Sequence, residues 1–412
     1  MRSQSKPKMN KGTKIIIYYL IGSLILGTIG LIYWIFVARL DAYTDDAYVE
    51  GNQVSITPLK SGFVTAIHTD DTYLVEKGQL LIQLDTTDAE IELESTKKNL
   101  AQVVRTVCEL YHEVFSLQSE IFVKKAEWVK AMQDFQHRKG VIDAGGVSVE
   151  DFEHAIAALQ SSYYSLQQAE SLYSKALALV QNTTLKNHPQ ILSAAEKVRF
   201  AFVQLYRCNI YSPVKGLAAQ RKIQVGMWVS SGDPLLSIIP LDQIWVNANY
   251  KETQLKKARI GQKVRLTSDL YGKDVVYHGK IAGLPGGAGN AFSLLPPQNL
   301  SGNWIKIVQR LPVRVELDKD ELKAHPLRIG LSMEATIDYH DEEGKLVPSS
   351  TYGSPSYETQ IYKKEEAGDV SLIESIILEN LDPSLSDYLN TPLVLKPIHT
   401  SLPIEMRPIC NL

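Results

Sequence analysis

The chain has 412 residues, a formal net charge of −3 and three cysteines. That length exceeds one ordinary hydrophobic core, so two or three domains are expected. The near-neutral charge gives no electrostatic reason to expect nucleic-acid binding, and Cys108, Cys208 and Cys410 are too few and too scattered for a disulfide framework or a zinc site.

Residues 1–14 form a basic tail carrying Arg2, Lys6, Lys8, Lys11 and Lys14. From Ile15 to Val37 no charge occurs, and at ~1.5 Å per residue this run reaches roughly 34 Å, enough to cross a bilayer core. A transmembrane helix is therefore expected over 15–38. It is longer than a signal-peptide apolar region, and no small-x-small cleavage site follows it. Asp41, Asp45, Asp46 and Glu50 come soon after, so the charge asymmetry places the tail in the cytoplasm and everything past residue 40 on the other side. Residues 39–57 read as a linker and a membrane-proximal strand.

Residues 58–85 and 208–241 contain two imperfect copies of one β-rich motif. The first runs from Pro58-Leu-Lys-Ser-Gly62 to Val75-Glu-Lys-Gly78 and Leu80–Leu84; the second runs from Pro213-Val-Lys-Gly216 to Val229-Ser-Ser-Gly232 and Leu235–Ile238. Each alternates apolar residues and places a Gly at a tight turn. Neither copy alone can bury a core, but together they complete one small sandwich resembling lipoyl and biotinyl carrier domains. The turn that would bear a modified lysine is replaced by residues 86–207, which disfavours a carrier role.

That insertion reads as a coiled-coil hairpin. Leu93, Leu100, Val107, Val114, Ile121, Trp128 and Phe135 recur at intervals of seven, with Val103, Leu110, Leu117 and Ala131 interleaved. Good N-cap residues at Asp85–Asp88 predict the start of a helix that stops near Gly140. About 50 helical residues give a rod of roughly 75–80 Å. After Asp143-Ala-Gly-Gly146 a second helix is predicted, capped by Ser148, with a seam of Phe152, Ala155, Leu159, Ser162, Leu166, Ala169, Tyr173, Ala176 and Val180. The pattern slips at Asn182–Pro189, where a break is expected because Pro forfeits a hydrogen bond inside a helix. The short turn makes the two helices antiparallel.

Residues 242–340 hold five short strands, Ile244–Asn249, Lys263–Thr267, Gly279–Ala282, Leu311–Leu317 and Met333–Ile337, which predict an antiparallel β-barrel. The glycines of 283–290 lack the Gly-Lys-Ser/Thr ending of a phosphate loop. Residues 341–412, rich in Pro, Ser and acidic residues, read as a peripheral extension with one short helix at 370–381. The expected class is thus α+β and elongated: an N-terminal transmembrane helix, a long helical hairpin inserted between two halves of a lipoyl-like sandwich, then a β-barrel. The nine histidines show no metal-ligand spacing and no nucleophile motif occurs, so no enzyme activity, metal or cofactor is expected.

Five segments carry a family resemblance: Tyr43-Thr-Asp-Asp-Ala-Tyr-Val49, Ile244-Trp-Val-Asn-Ala-Asn-Tyr-Lys-Glu-Thr-Gln254, Ala291-Phe-Ser-Leu-Leu-Pro-Pro-Gln-Asn299, Gly302-Asn-Trp-Ile-Lys-Ile-Val-Gln-Arg-Leu-Pro-Val-Arg314 and Pro326-Leu-Arg-Ile-Gly-Leu-Ser332. With them, the chain over roughly residues 15–340 resembles the periplasmic adaptor, or membrane fusion, proteins of the HlyD superfamily, in their EmrA-like branch. The resemblance implies a single-pass inner-membrane subunit of a tripartite multidrug efflux pump, with its N-terminus cytoplasmic and its bulk in the periplasm. The implied partners are an inner-membrane major-facilitator proton antiporter, a TolC-like outer-membrane channel and further copies of the same chain, a hexamer among the options. An adaptor for an ABC-type secretion system exporting a peptide or protein has the same architecture and stays open as the alternative.

The resemblance also implies site residues. Family hairpin tips carry an Arg, a Leu and a Ser that contact the channel. Here Ser148 fits the serine, Val141 stands at the leucine, and His137 or Arg138 serves for the arginine. Ser148 is equally an ordinary helix cap. In the barrel loop, Phe292, Leu294, Leu295 and Trp304 are candidate contacts with a transported compound, against the commoner reading of core or contact with a neighbouring subunit.

Overall fold

The computed structural model describes residues 11–33, 41–288, 308–341, 343–348 and 357–401. The chain opens with helix α1 (Lys11–Tyr33) and strands β1 (Asp41–Gly51), β2 (Val54–Ile56), β3 (Gly62–Ile67), β4 (Leu74–Val75) and β5 (Leu80–Leu84). Three helices follow, α2 (Thr87–Lys139), α3 (Val149–Val180) and α4 (Pro189–Tyr206), and then β6 (Asn209–Tyr211), β7 (Gly216–Ala219), β8 (Trp228–Val229) and β9 (Leu236–Ile239). Strands β10 (Ile244–Lys251), β11 (Lys263–Ser268), β12 (Gly272–Gly283) and β13 (Arg310–Leu317) precede α5 (Lys319–Ala324), β14 (Ser332–Asp338) and α6 (Asp369–Asn380).

Helix α1 is uncharged from Ile15 to its end at Tyr33, a reach of ~28 Å against a bilayer core of ~30 Å. Among the described residues no helix is long and apolar enough to cross a membrane. The rest of the expected span, 34–38, lies outside the described residues.

Helix α2 is 53 residues long, about 80 Å. Asp85 satisfies its first turn, accepting from the Thr87 amide at 3.1 Å. All seven heptad residues from Leu93 to Phe135 are buried. Phe135 stacks on Phe152 at 5.6 Å and Trp128 lies 6.5 Å from Tyr163, which fixes α3 antiparallel to α2. Val103, Leu110, Leu117 and Ala131 are only partly buried. The lower half of α2 instead buries Val104, Cys108 and Tyr111 beside the seam, because it packs against α4 and α6 together and needs a wider apolar face. The helix ends at Val180 and resumes at Pro189, which occupies the first turn of α4, where its missing N–H costs nothing.

Two four-stranded sheets flank the hairpin, in the orders β2-β9-β7-β4 and β6-β5-β3-β8. Each takes two strands from before the hairpin and two from after it, and Val64, Val75, Leu81, Ile82, Ala218, Val229 and Ile238 fill one shared core. Gly78 and Gly232, the equivalent turn residues of the two motifs, both adopt positive φ, +84° and +92°. Gly216 has a different constraint: a Cβ there would lie 2.5 Å from the Ile239 carbonyl oxygen.

The second β domain is a closed antiparallel barrel, β1-β10-β13-β12-β11-β14. Its membership corrects the reading of 39–57 as a linker and membrane-proximal strand. Strand β1 closes the barrel between β10 and β14, with Val49 opposite Val246 and Ala42 opposite Ile337. Strand β2 belongs to the two-sheet domain through Ser55 opposite Ser237. The barrel is therefore not confined to 242–340.

The extension has the expected short helix, α6, but is not peripheral. Ile361–Glu366 and Pro383–Tyr388 form 3₁₀ turns on either side of α6, and Ile373, Ile376, Ile377, Leu385 and Leu393 are buried in the hairpin's own core. Two of its acidic residues, Glu365 and Asp369, are buried against Arg207 and Arg199, each at 2.8 Å.

Candidate functional site

The tip of the hairpin is built by local backbone bonds. The amides of Gly140, Val141 and Ile142 bond to the carbonyls of Gln136, Arg138 and Arg138, and Gly145 and Gly146 bond back to Ile142 and Val141. Gly145 is at φ +75°, a conformation that turns the chain toward α3 and disfavours a side chain. Ser148 caps α3: its Oγ accepts from the Asp151 amide at 3.0 Å and donates to the Asp151 carboxylate at 2.6 Å. His137, Arg138 and Lys139 end α2 while Glu150 and Asp151 begin α3, so each charge complements its helix terminus.

The four candidate tip residues fall into two groups. Arg138 is committed to the fold: Nη1 donates to the Asp151 carbonyl across the hairpin at 2.7 Å, and Nη2 lies 3.2 Å from the Asp134 carboxylate. His137, Val141 and Ser148 are exposed. Sequence reasoning missed Val149, which is 68% exposed beside Ser148. Its signal was available, since an apolar residue at 149 falls outside the three-four seam that begins at Phe152. Val141 and Val149 are thus both exposed apolar residues of the tip segment. Phe292, Leu294, Leu295 and Trp304 lie outside the described residues.

Elsewhere, a cleft of 620 Å³ separates the two-sheet domain from the barrel, walled by Val214, Leu241 and Leu322. Lys77, Lys215, Lys319 and Lys323 line it together with Asp242 and Glu358, and Lys215 and Lys323 are already paired with Glu76 and Asp320. Among the described residues one group of possible metal ligands occurs, Asp41, Asp338 and His340, with donor atoms within 4.8 Å. Strand pairing of Asp41 with Asp338 brings it together. Its groups are already engaged: Asp338 accepts from the His340 amide at 2.9 Å and Arg265 lies 3.7 Å from Asp41. The hydrogen bond from His340 holds the Asp338 carboxyl below the usual carboxylate range.

A family profile described as "EMRA, alpha-helical hairpin domain" matches residues 87–208, the whole of α2 to α4. The probable multidrug resistance protein EmrK of Escherichia coli K12 is 44% identical over 82% of this chain and 88% of its own length. The multidrug export protein EmrA of the same strain is 40% identical over 85% of this chain and 90% of its own. The fatty acid resistance protein FarA of Neisseria gonorrhoeae is 40% identical over 72% and 75%.

Proposed function

The chain belongs to the EmrA-like family of membrane fusion proteins, and from that premise we propose that it is the periplasmic adaptor of a tripartite multidrug efflux pump. It links an inner-membrane major-facilitator proton antiporter to a TolC-like outer-membrane channel. Helix α1 and the residues after it anchor the chain in the inner membrane with the basic tail in the cytoplasm. Everything from β1 onward stands in the periplasm, where several copies line the conduit. The two-sheet domain takes the part of the family's lipoyl-like domain.

One observation carries this reading. The similarity to a multidrug export protein and a multidrug resistance protein runs through the β domains as well as the hairpin, over more than four-fifths of the chain. The geometry suits it, because a rod of about 80 Å spans an aqueous gap and presents its tip at the far end. Val141, Val149, His137 and Ser148 are the tip residues that meet the channel, while Arg138 holds the tip in shape. In the barrel loop, Phe292, Leu294, Leu295 and Trp304 contact a transported compound or a neighbouring copy. Replacing Phe292 and Trp304 by Ala alters export of apolar compounds without loss of assembly; unchanged export removes that assignment.

The test is affinity purification of the full-length chain from its own membranes after crosslinking. Recovery of a major-facilitator protein with a TolC-like channel is the expected result. Recovery of an ABC transporter moves the chain to peptide or protein secretion, and recovery of neither overturns the adaptor reading.

A further inference from the structure

The C-terminal extension touches every element at the base of the hairpin. On the two-sheet domain, the Thr359 hydroxyl donates to the Pro213 carbonyl at 3.0 Å. On α4, Arg207 and Arg199 donate through Nε to the buried carboxylates of Glu365 and Asp369. On α2, Arg105 donates to Asn380 Oδ1 at 2.8 Å and His112 lies 2.9 Å from Asp382. On α3, the Thr400 amide donates to the buried Glu170 carboxylate at 2.9 Å.

The contacts at the break between α3 and α4 are the most telling. Residues 181–188 lie between the two helices, and their backbone turns to the extension for partners. The amides of Asn182, Leu185 and Lys186 donate to the carbonyls of Leu393, Tyr388 and Leu389, and the Leu393 amide donates back to Thr183. The Tyr111 hydroxyl of α2 donates to that same Thr183 carbonyl at 3.0 Å. A helical hairpin can bend at two places here, the break itself and the exit of α4 into β6. The extension crosses both. A segment placed only to bury apolar surface needs neither the ion pairs of buried carboxylates with α4 nor the backbone ladder to the break.

We propose that residues 357–401 are a strap that fixes the direction of the hairpin relative to the two-sheet domain. Arg199 with Asp369 and Arg207 with Glu365 are its positioning contacts. The strap spans the α4–β6 exit and stiffens the α3–α4 break, so the tip is delivered to one place and not to an arc of places.

The test is the distribution of distances between spin labels on Ala144→Cys at the tip and Thr65→Cys on β3. It is read in the full chain with Cys410→Ser and no partner present, so its outcome is independent of the adaptor reading. Arg199→Asp with Arg207→Asp broadens the distribution and removes hydrogen-exchange protection at Asn182, Leu185 and Lys186. Adding Asp369→Arg and Glu365→Arg narrows it again. A chain ending at residue 356 reproduces the broad distribution while the barrel amides of β10 and β13 stay protected. If these variants fold poorly, Arg199→Lys supplies the milder perturbation, with a smaller broadening. A distribution that stays narrow in the charge variants and in the shortened chain, even with a lower melting temperature, overturns the proposal and leaves the extension as a stabiliser only.

Discussion

The two halves of the hairpin solve different packing problems with one repeat. In the upper half, from Ile121 to Phe135, α2 buries one residue in seven and meets only α3. In the lower half it buries Leu100, Val104, Val107, Cys108, Tyr111 and Val114, because α4 and α6 flank it together. A strict seven-residue seam thus signals one partner, and a widened one signals more. The upper half is a two-helix rod, while the lower half is the core of a small helical bundle completed by a segment some 270 residues away in the chain, as in the contact of Arg105 with Asn380.

This contrast can be broken most severely at Tyr111, which is fully buried and lies 6.0 Å from the Tyr388 ring. Tyr111→Ala should cost about 3–5 kcal/mol in denaturant unfolding and release the extension with it. Next is Arg207→Ala, which strands the Glu365 carboxylate at 8% side-chain exposure. Because the Arg207 side chain is 34% exposed, the loss should be about 1–3 kcal/mol, below that of a fully buried pair. At the tip, Ser148→Ala removes the cap of α3 and should cost ~1 kcal/mol, with exchange changes confined to its first turn. Trp128→Phe should change stability by less than ~1 kcal/mol. Its buried Nε1 has no hydrogen-bond partner, so the lost ring volume is offset by the lost unsatisfied donor.

The mildest perturbation is acid. The Ser384 hydroxyl and amide, with His112, hold the Asp382 carboxyl down at about 2. A depressed carboxyl stabilises the fold above its unfolded value of about 4 and loses that contribution as pH falls toward its folded value. Exchange of amides around Ser384 should therefore rise between about pH 4 and 2, ahead of any change in the upper hairpin. Simultaneous opening of both halves would contradict the division drawn here.

Much of the upper half is legible in the sequence, because a seam with one partner is a local pattern. Pro189 and Ser148 likewise announce a break and a cap from their own chemistry. A strand within 39–57 was expected, but the place of β1 in the barrel was hidden for a specific reason. Its buried residues are Ala42 and Thr44, then Ala47 and Val49, and the register shift between Thr44 and Ala47 reverses the parity, so no alternation survives across Asp45 and Asp46. In the extension the helix at 370–381 was legible, as α6 shows, but its docking was not, because its buried acids make sense only beside Arg199 and Arg207, and nothing in residues 357–401 alone shows those partners. At the tip, the position of Ser148 was readable, whereas the reach of Arg138 to the Asp151 carbonyl depends on the finished turn.

The interleaving of the two-sheet domain sets an order of events during synthesis. Strands β2 to β5 are made first, yet β2 and β4 have no sheet partners until β9 and β7 have been made. Joining Gln83 to Asn209 across a disordered insertion would carry the loop-closure cost of a long coil. The hairpin removes most of that cost, since two antiparallel helices return the chain to where it left. Helix zippering is fast and local, whereas barrel closure must await β14 to pair with β1. The rod that gives the molecule its reach therefore also lowers the cost of joining the two halves of its two-sheet domain.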